Sequence, residues 1–352
     1  MTQQLRAVDF FCGAGGVTYG FTRAGIKVFG GIDFDPNCKE TYEVNNQGSV
    51  FLKKDISKYT PEDLEIDLGI NKDDDNLIFI GCSPCQYYSS VNNIKDNSAK
   101  SKLLLEDFQR FVEYFKPGYI FIENVPGLKR DTESPLGRFK KLLHDLGYTF
   151  SEKVLNAKYF GVPQNRRRYV LLATRVTKKI DLPKENKKTT VPIRDIIGNK
   201  SLFPEIPAGH MDTSDFLHSS AQLTEINLKR IRNTSHSGGS RKEWADDPAL
   251  QLKCYKDYDG HGDVYGRLSW DRPSPTITTK FYSLSNGRYG HPEQDRALSL
   301  REGAVLQSFS IEYKFKAKSQ GINGKLIGNA VPPKMAEKIG LAIVQNKING
   351  TI

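Results

Sequence analysis

The segment Leu77-Ile-Phe-Ile-Gly-Cys-Ser-Pro-Cys-Gln-Tyr-Tyr-Ser-Ser90 runs from a fully apolar stretch into a polar, aromatic tail. Four consecutive large apolar residues before Gly81 read as a strand buried on both faces, as in a sheet covered by helices. Gly81 breaks the run, and Cys82 and Cys85 then flank a Ser-Pro turn. Three chemistries fit such a pair: a redox dithiol, half of a zinc site, or a loop in which one cysteine is a nucleophile.

The chain on either side repeats the same grammar. Upstream, an apolar run over residues 5–11 ends in the glycine turn Cys12-Gly-Ala-Gly-Gly16, and an amphipathic segment follows at 17–24. Strand, glycine turn and helix are the grammar of a nucleotide-type cofactor site, where glycine lets the backbone approach a ligand closely; the same features also fit a plain strand-turn-helix with a surface Asp33. The spacing is not that of the dinucleotide fingerprint, and no phosphate-loop lysine is present. A second strand at 27–32 ends in Asp33-Phe34-Asp35, about where such folds bind a ribose diol. A helix is expected at 36–45 and a short strand at 51–53, ending at Asp55-Ile56.

Downstream, residues 102–115 carry Leu104, Phe108, Phe111, Val112 and Phe115 at helical spacing and stop before Pro117. Tyr119-Ile-Phe-Ile-Glu-Asn-Val125 reads as a buried strand with a carboxylate at its end. A helix at 136–146 and strands at 150–155 and 169–174 complete an alternating pattern. Such alternation predicts an α/β fold with a doubly wound parallel sheet and its site at the strand carboxyl ends. Gly13, Asp33, Asp55, Cys85 and Glu123 all fall at such ends.

The character changes after Thr174. Residues 176–290 are rich in Lys, Arg, Gly, Ser and Pro and weakly periodic, which predicts a smaller irregular domain. The loop Asn233-Thr-Ser-His-Ser-Gly-Gly-Ser-Arg-Lys242 is basic, and Trp244 and Trp270 read as core of this domain. Order returns with helices expected at 300–309 and 333–348. The formal net charge of +10 suggests a polyanionic partner, nucleic acid first. Five unevenly spread cysteines make a poor disulfide framework and fit a reducing compartment. No secretory h-region and no apolar run of roughly 20 residues is visible, so a soluble, cytoplasmic protein is expected.

Two of the three cysteine chemistries lack partners. A redox pair normally opens a helix, and Gln86-Tyr-Tyr-Ser-Ser90 is a poor helix start. Zinc needs two more ligands, and there is no second C-x-x-C and no close histidine pair, so no metal is expected. A nucleophilic Cys85 remains, with Cys82 nearer the strand as a packing residue.

At this point the residues match a family. The motifs are Asp9-Phe-Phe-Cys-Gly-Ala-Gly-Gly16, Pro84-Cys85-Gln86, Glu123-Asn-Val125, Gln164-Asn-Arg166-Arg-Arg168, Arg301-Glu302…Leu306-Gln307-Ser-Phe309 and Gly328-Asn329-Ala-Val331. With these in order, and a variable region between the fourth and fifth, the chain resembles the prokaryotic-type cytosine-C5 DNA methyltransferases over nearly its whole length. The resemblance implies a Rossmann-like methyltransferase sheet at 1–178 with 324–352, and a target-recognition domain at 179–323 that includes the Arg301-Glu302 motif.

It also implies roles. Cys85 thiolate would add to C6 of the target cytosine, and Glu123 would engage N3 and the exocyclic amine. Arg168 would contact O2, with Arg166 supporting the loop and phosphate. Phe11, Gly13, Gly15 and Gly16 would line the approach of S-adenosylmethionine, the methyl donor, which leaves as S-adenosylhomocysteine. Asp33 would bind its ribose, Phe34 stack on adenine, and Asp55 and Ile56 read the adenine amino edge. Pro84, Leu104 and Asn329 would close the pocket. Ala330 offers no hydroxyl to the cofactor carboxylate, so backbone N–H must serve there. Phe34 replaces a tryptophan found in some members. Gln86, Ser89, Asn124 and Gln164 are implied on the substrate side.

Attack on C6 comes from the face of the ring, so the base must leave the stack. The expected partner is double-stranded DNA, bound by a monomer and placing the protein with the nucleoid. Two alternatives stay open: the same reaction on a tRNA cytosine, and a catalytically silent DNA-binding relative.

Overall fold

A computed structural model describes residues 4–84, 99–130, 134–252 and 262–350. The chain divides into two compact units. The first comprises Met1–Phe160, Arg167–Asn186 and Val331–Ile352, and the second Gly161–Arg166 and Lys187–Ala330.

The first unit begins β1 (Arg6–Phe10), α1 (Gly16–Arg23), β2 (Lys27–Asp33), α2 (Lys39–Asn45), β3 (Val50–Lys53), α3 (Pro61–Leu68) and β4 (Leu77–Gly81). It continues α4 (Ala99–Phe115), β5 (Tyr119–Asn124), α5 (Gly127–Arg130), α6 (Leu136–Asp145), β6 (Thr149–Asn156) and β7 (Arg167–Thr174). The strands form one sheet in the order β3-β2-β1-β4-β5-β7-β6. Local signals start and stop its elements. Thr60 Oγ1 accepts from Asp63 N at 3.1 Å to cap α3, and Gly69 ends that helix in the left-handed region at φ 59°.

The expected doubly wound α/β sheet is present, but it is mixed and not purely parallel, and on that point the structure corrects the reading. β7 lies antiparallel to both β5 and β6, with Glu123 opposite Val170 and Asn156 opposite Arg167. Residues 157–166, which join β6 to β7, hold only a 3-10 turn at Ala157–Phe160 within the first unit. A short return can join only antiparallel neighbours; a parallel pair needs a crossover.

Aromatic side chains fill the core. Phe10 meets Phe79, Phe108 and Phe111 at ring-centroid distances of 5.0–5.1 Å. Phe21 of α1 stacks on Phe121 at 5.8 Å. The last helix of the chain, which packs on α1, depends on Gly20, where a Cβ would fall 2.5 Å from Pro333 O.

The second unit carries α7 (Arg194–Ile197), α8 (Glu225–Arg232), α9 (Leu300–Leu306) and α10 (Gln320–Asn329), and the chain then returns to the first unit as α11 (Pro333–Gly350). Among its described residues only isolated bridges pair extended backbone, such as Gln164 with Ser274. Trp244, Ile231, Leu250, Val264, Tyr265 and Leu284 form a small core, and Trp270 is also buried.

The division runs differently from the expected boundaries, for readable reasons. Residues 179–186 stay with the sheet, because Ser151 Oγ donates to Ile180 O at 2.6 Å and Asn186 N to Tyr159 O at 3.1 Å. Residues 161–166 and 324–330 belong to the second unit, where Arg166 binds the carbonyls of Ile277, Gly328 and Ala330.

Candidate active site

The glycine turn follows β1, the strand between β2 and β4. Phe11 takes a left-handed φ of 61°, and Gly13 and Gly15 follow at 51° and 83°. A side chain at Phe11 in that region marks a turn held in place by its surroundings. Asp33 does much of the holding: Gly13 N donates to its Oδ2 and Asp35 N to its Oδ1, each at 2.9 Å. Gly16 opens α1, whose first amides are free of intrahelical partners by construction.

The remaining cofactor candidates of the first unit follow the ends of β2, β3 and β4, except Leu104 on α4. Phe34, directly after Asp33, is 65% exposed, which is unusual for so large an apolar ring. Asp55 is exposed and accepts from Ser57 N and Oγ, and Ile56 is buried with its carbonyl held by Arg110 Nη2 at 2.6 Å. Leu104 is half-buried on α4, and Pro84 is exposed beyond the end of β4. A Cβ built on Gly13 meets nothing within 4 Å, so the turn has room for a ligand there, and Phe34 follows the end of β2 with its ring exposed.

On the other side of β4, Glu123 is the last residue but one of β5 and Arg168 lies on the neighbouring antiparallel β7. Arg168 Nε sits 2.8 Å from Glu123 Oε1, with both side chains largely buried, and Arg168 Nη1 donates to Arg167 O. Asn124 is buried; its Nδ2 donates to Ser83 Oγ at 3.4 Å, and Val125 N donates to its Oδ1. It therefore ties the end of β4 to the end of β5. Cys85, Gln86 and Ser89 lie outside the described residues.

Two of the candidates of the second unit, Gln164 and Arg166, are built inward. Gln164 is fully buried, donates to Gln307 and to Leu306 O, and accepts from Ile277 N. Arg166 is spent on three backbone carbonyls. Asn329 is exposed, and Ala330 O accepts from Arg166 and from Gln307 Nε2 at 2.6 Å. The sequence reading carried Asp9 in its first motif but gave no role to it, nor to Thr18 and Tyr42, all three buried. An acidic residue inside an otherwise apolar strand was the available signal. No cluster of metal-ligating side chains occurs among the described residues, and no helix there is long and apolar enough to cross a membrane.

The seven-stranded sheet, with a glycine turn after β1, an acid ending β2 and a carboxylate next to the end of β5, defines the class: an enzyme built on a Rossmann-like methyltransferase sheet. Comparison with known proteins takes the assignment further. The chain belongs to the C-5 cytosine-specific DNA methylase family, whose model matches residues 5–345, and is a DNA (cytosine-5-)-methyltransferase. It is 38% identical over 343 residues to the type II methylase M.HgiDII of Herpetosiphon aurantiacus, covering 96% of this chain and 94% of that one. It is 29% identical to the type II methyltransferase M1.HphI of Haemophilus parahaemolyticus, covering 98% and 88%. Among solved structures, a protein encoded within an E. coli prophage shares the fold at a TM-score of 0.73 and 20% identity, covering 98% of this chain and 100% of that one. The family implies S-adenosylmethionine as methyl donor.

Proposed function

We propose that the enzyme methylates C5 of a flipped-out cytosine within a specific duplex DNA sequence, through a covalent bond from Cys85 to C6. The observation that carries this reading is the Glu123–Arg168 pair at the ends of β5 and β7, beside the strand that leads to Cys85. The pair supports the reading because an acid and a cation are the groups that the Watson–Crick edge of a cytosine can bond. In this reading Glu123 bonds N3 and the exocyclic amine, and Arg168 bonds O2.

Addition of the Cys85 thiolate at C6 moves the ring's electrons toward C5 and N3, and a proton shared with Glu123 at N3 accommodates them. The bound donor supplies an electrophilic methyl group, which C5 takes. Water takes the C5 proton, the C5–H pair re-forms the C5–C6 double bond, and the C6–S bond breaks to free Cys85 as the thiolate. Asp33 and the glycine turn hold the donor and Phe34 covers its adenine. Exposed lysines and arginines of the second unit supply phosphate contacts, and its loops the base contacts. The type II names of the relatives support a modification role alongside a restriction nuclease.

Purified protein incubated with methyl-labelled S-adenosylmethionine is expected to label duplex DNA and not tRNA, at cytosines located by base-resolution sequencing. Cys85→Ala is expected to abolish labelling. Wild-type labelling by Cys85→Ala would overturn the mechanism, and labelled tRNA with unlabelled DNA would overturn the substrate.

A further inference from the structure

Beneath the glycine turn lies a buried polar string that the mechanism above does not use. Asp9, on β1, is fully buried. Its Oδ2 accepts from Thr18 N at 3.2 Å and from Thr18 Oγ1 at 2.7 Å, so the strand's carboxylate caps the first turn of α1. Its Oδ1 has no hydrogen-bond partner among the described residues. A buried carboxylate oxygen left without a donor is costly and demands a reason.

From Thr18 the string runs outward. Thr18 Oγ1 lies 3.0 Å from Tyr42 OH, and Tyr42 OH lies 2.7 Å from Ser49 Oγ, which is half-exposed. Two glycines make room for the ring between them. A Cβ at Gly31 would fall 2.5 Å from Tyr42, and one at Gly15 would fall 3.0 Å from it. The cofactor turn therefore rests on Tyr42, and Tyr42 and Thr18 connect Asp9 to solvent.

We infer that Asp9 is a positioning residue for the methyl donor: a buried carboxyl, reached by protons along Ser49, Tyr42 and Thr18, whose charged form favours the cationic donor over its neutral product. The inference rests on the reading that the donor occupies the glycine turn. In the relay each hydroxyl takes a proton from its outer neighbour and passes its own inward, leaving no net charge on any of them. The donor carries a sulfonium and the product a thioether, so a fixed anion under the turn discriminates between them by charge alone. Neutralising Asp9 removes the anion, and an added proton on Oδ2 would compete with the Thr18 bonds that hold α1 to the turn.

The surroundings place this titration near neutrality. Burial pushes the Asp9 carboxyl up to about 7, the bonds from Thr18 pull it back, and the charge of Asp33 on β2 adds to the rise. The other titratable groups facing it are Cys12, whose thiol burial pushes well above its usual range, and Tyr42, whose phenol burial also pushes well up. Cys38, preceding α2, faces Cys12 in turn.

The test is calorimetric binding of S-adenosylmethionine and S-adenosylhomocysteine between about pH 6 and about pH 8. The donor-to-product affinity ratio of the wild type is expected to rise about tenfold across that range. In Asp9→Asn the ratio should stay flat within about twofold. Thr18→Val removes a bond that favours the charged carboxyl, and is expected to move the wild-type rise to higher pH. It carries the test where Asp9→Asn does not fold. A flat ratio in the wild type, an unchanged rise in Asp9→Asn or an unmoved rise in Thr18→Val would overturn the inference. A wild type that binds neither probe would instead overturn the reading of the glycine turn as the donor site.

Discussion

The two units satisfy their backbones by opposite means. In the first, strand ladders and helices pair the peptide groups, and aromatic rings such as Phe10, Phe79 and Phe108 fill what remains. In the second, loops dominate, and guanidinium groups take the place of strands. Arg267, fully buried, donates to the carbonyls of Ile231, Thr234, His291 and Gln294 and to Asp295. Arg301 binds the carbonyls of Asp215, Phe216 and Tyr313, and Arg296 pairs bidentately with the buried Glu302 at 2.7 and 2.8 Å. Five donors in a rigid fork suit this task, because a buried loop otherwise leaves carbonyls orphaned. The lesson concerns charge: Arg301 and Arg166 count toward the +10 yet serve carbonyls of the fold, so not all of that charge is free to meet a phosphate backbone.

The largest expected contrast is with acid. Burial lowers His291 to about 4, so the folded second unit keeps it neutral. Between about 6.5 and 4 the unfolded chain binds a proton that the folded one does not, and stability is lost as pH falls. Glu302 acts in the same sense: burial opposes its charge, but Arg296 outweighs this and holds it well below the usual range, so its stabilisation also disappears in acid. Asp9 acts in the opposite sense. Its folded value of about 7 exceeds the ordinary 3.8, so its contribution is full below the lower figure and lost as pH rises through the higher one. The swings are about 3 kcal/mol for His291 and about 4 kcal/mol for Asp9. Both tryptophans lie in the second unit, so their fluorescence follows that unit alone. Lowering the pH from about 6.5 to about 4.5 should shift the urea midpoint by fluorescence downward, and Asp9→Asn should leave that shift intact. A fluorescence midpoint that rises in acid would break the comparison.

Conservative substitutions give the next effect. Phe111→Leu in the first unit keeps an apolar group in an apolar core and is expected to cost about 1 kcal/mol. Arg267→Lys keeps the charge but loses the planar fork, stranding buried carbonyls at a cost of about 3 kcal/mol. Denaturation followed by circular dichroism for the first variant and by tryptophan fluorescence for the second measures both. Equal losses would show that the second unit is held by its small core around Trp244, not by its arginines.

The same contrast explains what could be read from the amino acids. The runs ending at Gly81 and Asn124 are legible because strands buried on both faces must be apolar throughout, and the glycine turn because few side chains tolerate its dihedrals. The direction of β7 was not legible: side-chain alternation carries no sense of strand polarity. Nor was the interior fate of Gln164 and Arg166, because nothing local distinguishes an arginine that meets a ligand from one that meets three carbonyls. Asn124 shows the same limit, being adjacent to Glu123 in sequence yet committed to Ser83. Long-range partners decide these cases, and one sequence does not contain them.

The smallest effect on stability is expected at Phe34, which belongs to neither packing scheme. Its ring is 65% exposed, so Phe34→Ala removes little buried surface and should change stability by less than about 0.5 kcal/mol. Stacking on a bound adenine would bury one of its faces, and losing an aromatic contact of that kind is worth about 1 kcal/mol beyond the area covered. Affinity for S-adenosylhomocysteine should therefore fall about tenfold while the melting temperature stays put. Phe34→Trp should restore or raise that affinity, because the larger ring offers more face at the same site. A variant that loses stability and keeps affinity would make Phe34 a packing residue after all, and would leave the glycine turn and Asp33 to hold the donor without an aromatic cover.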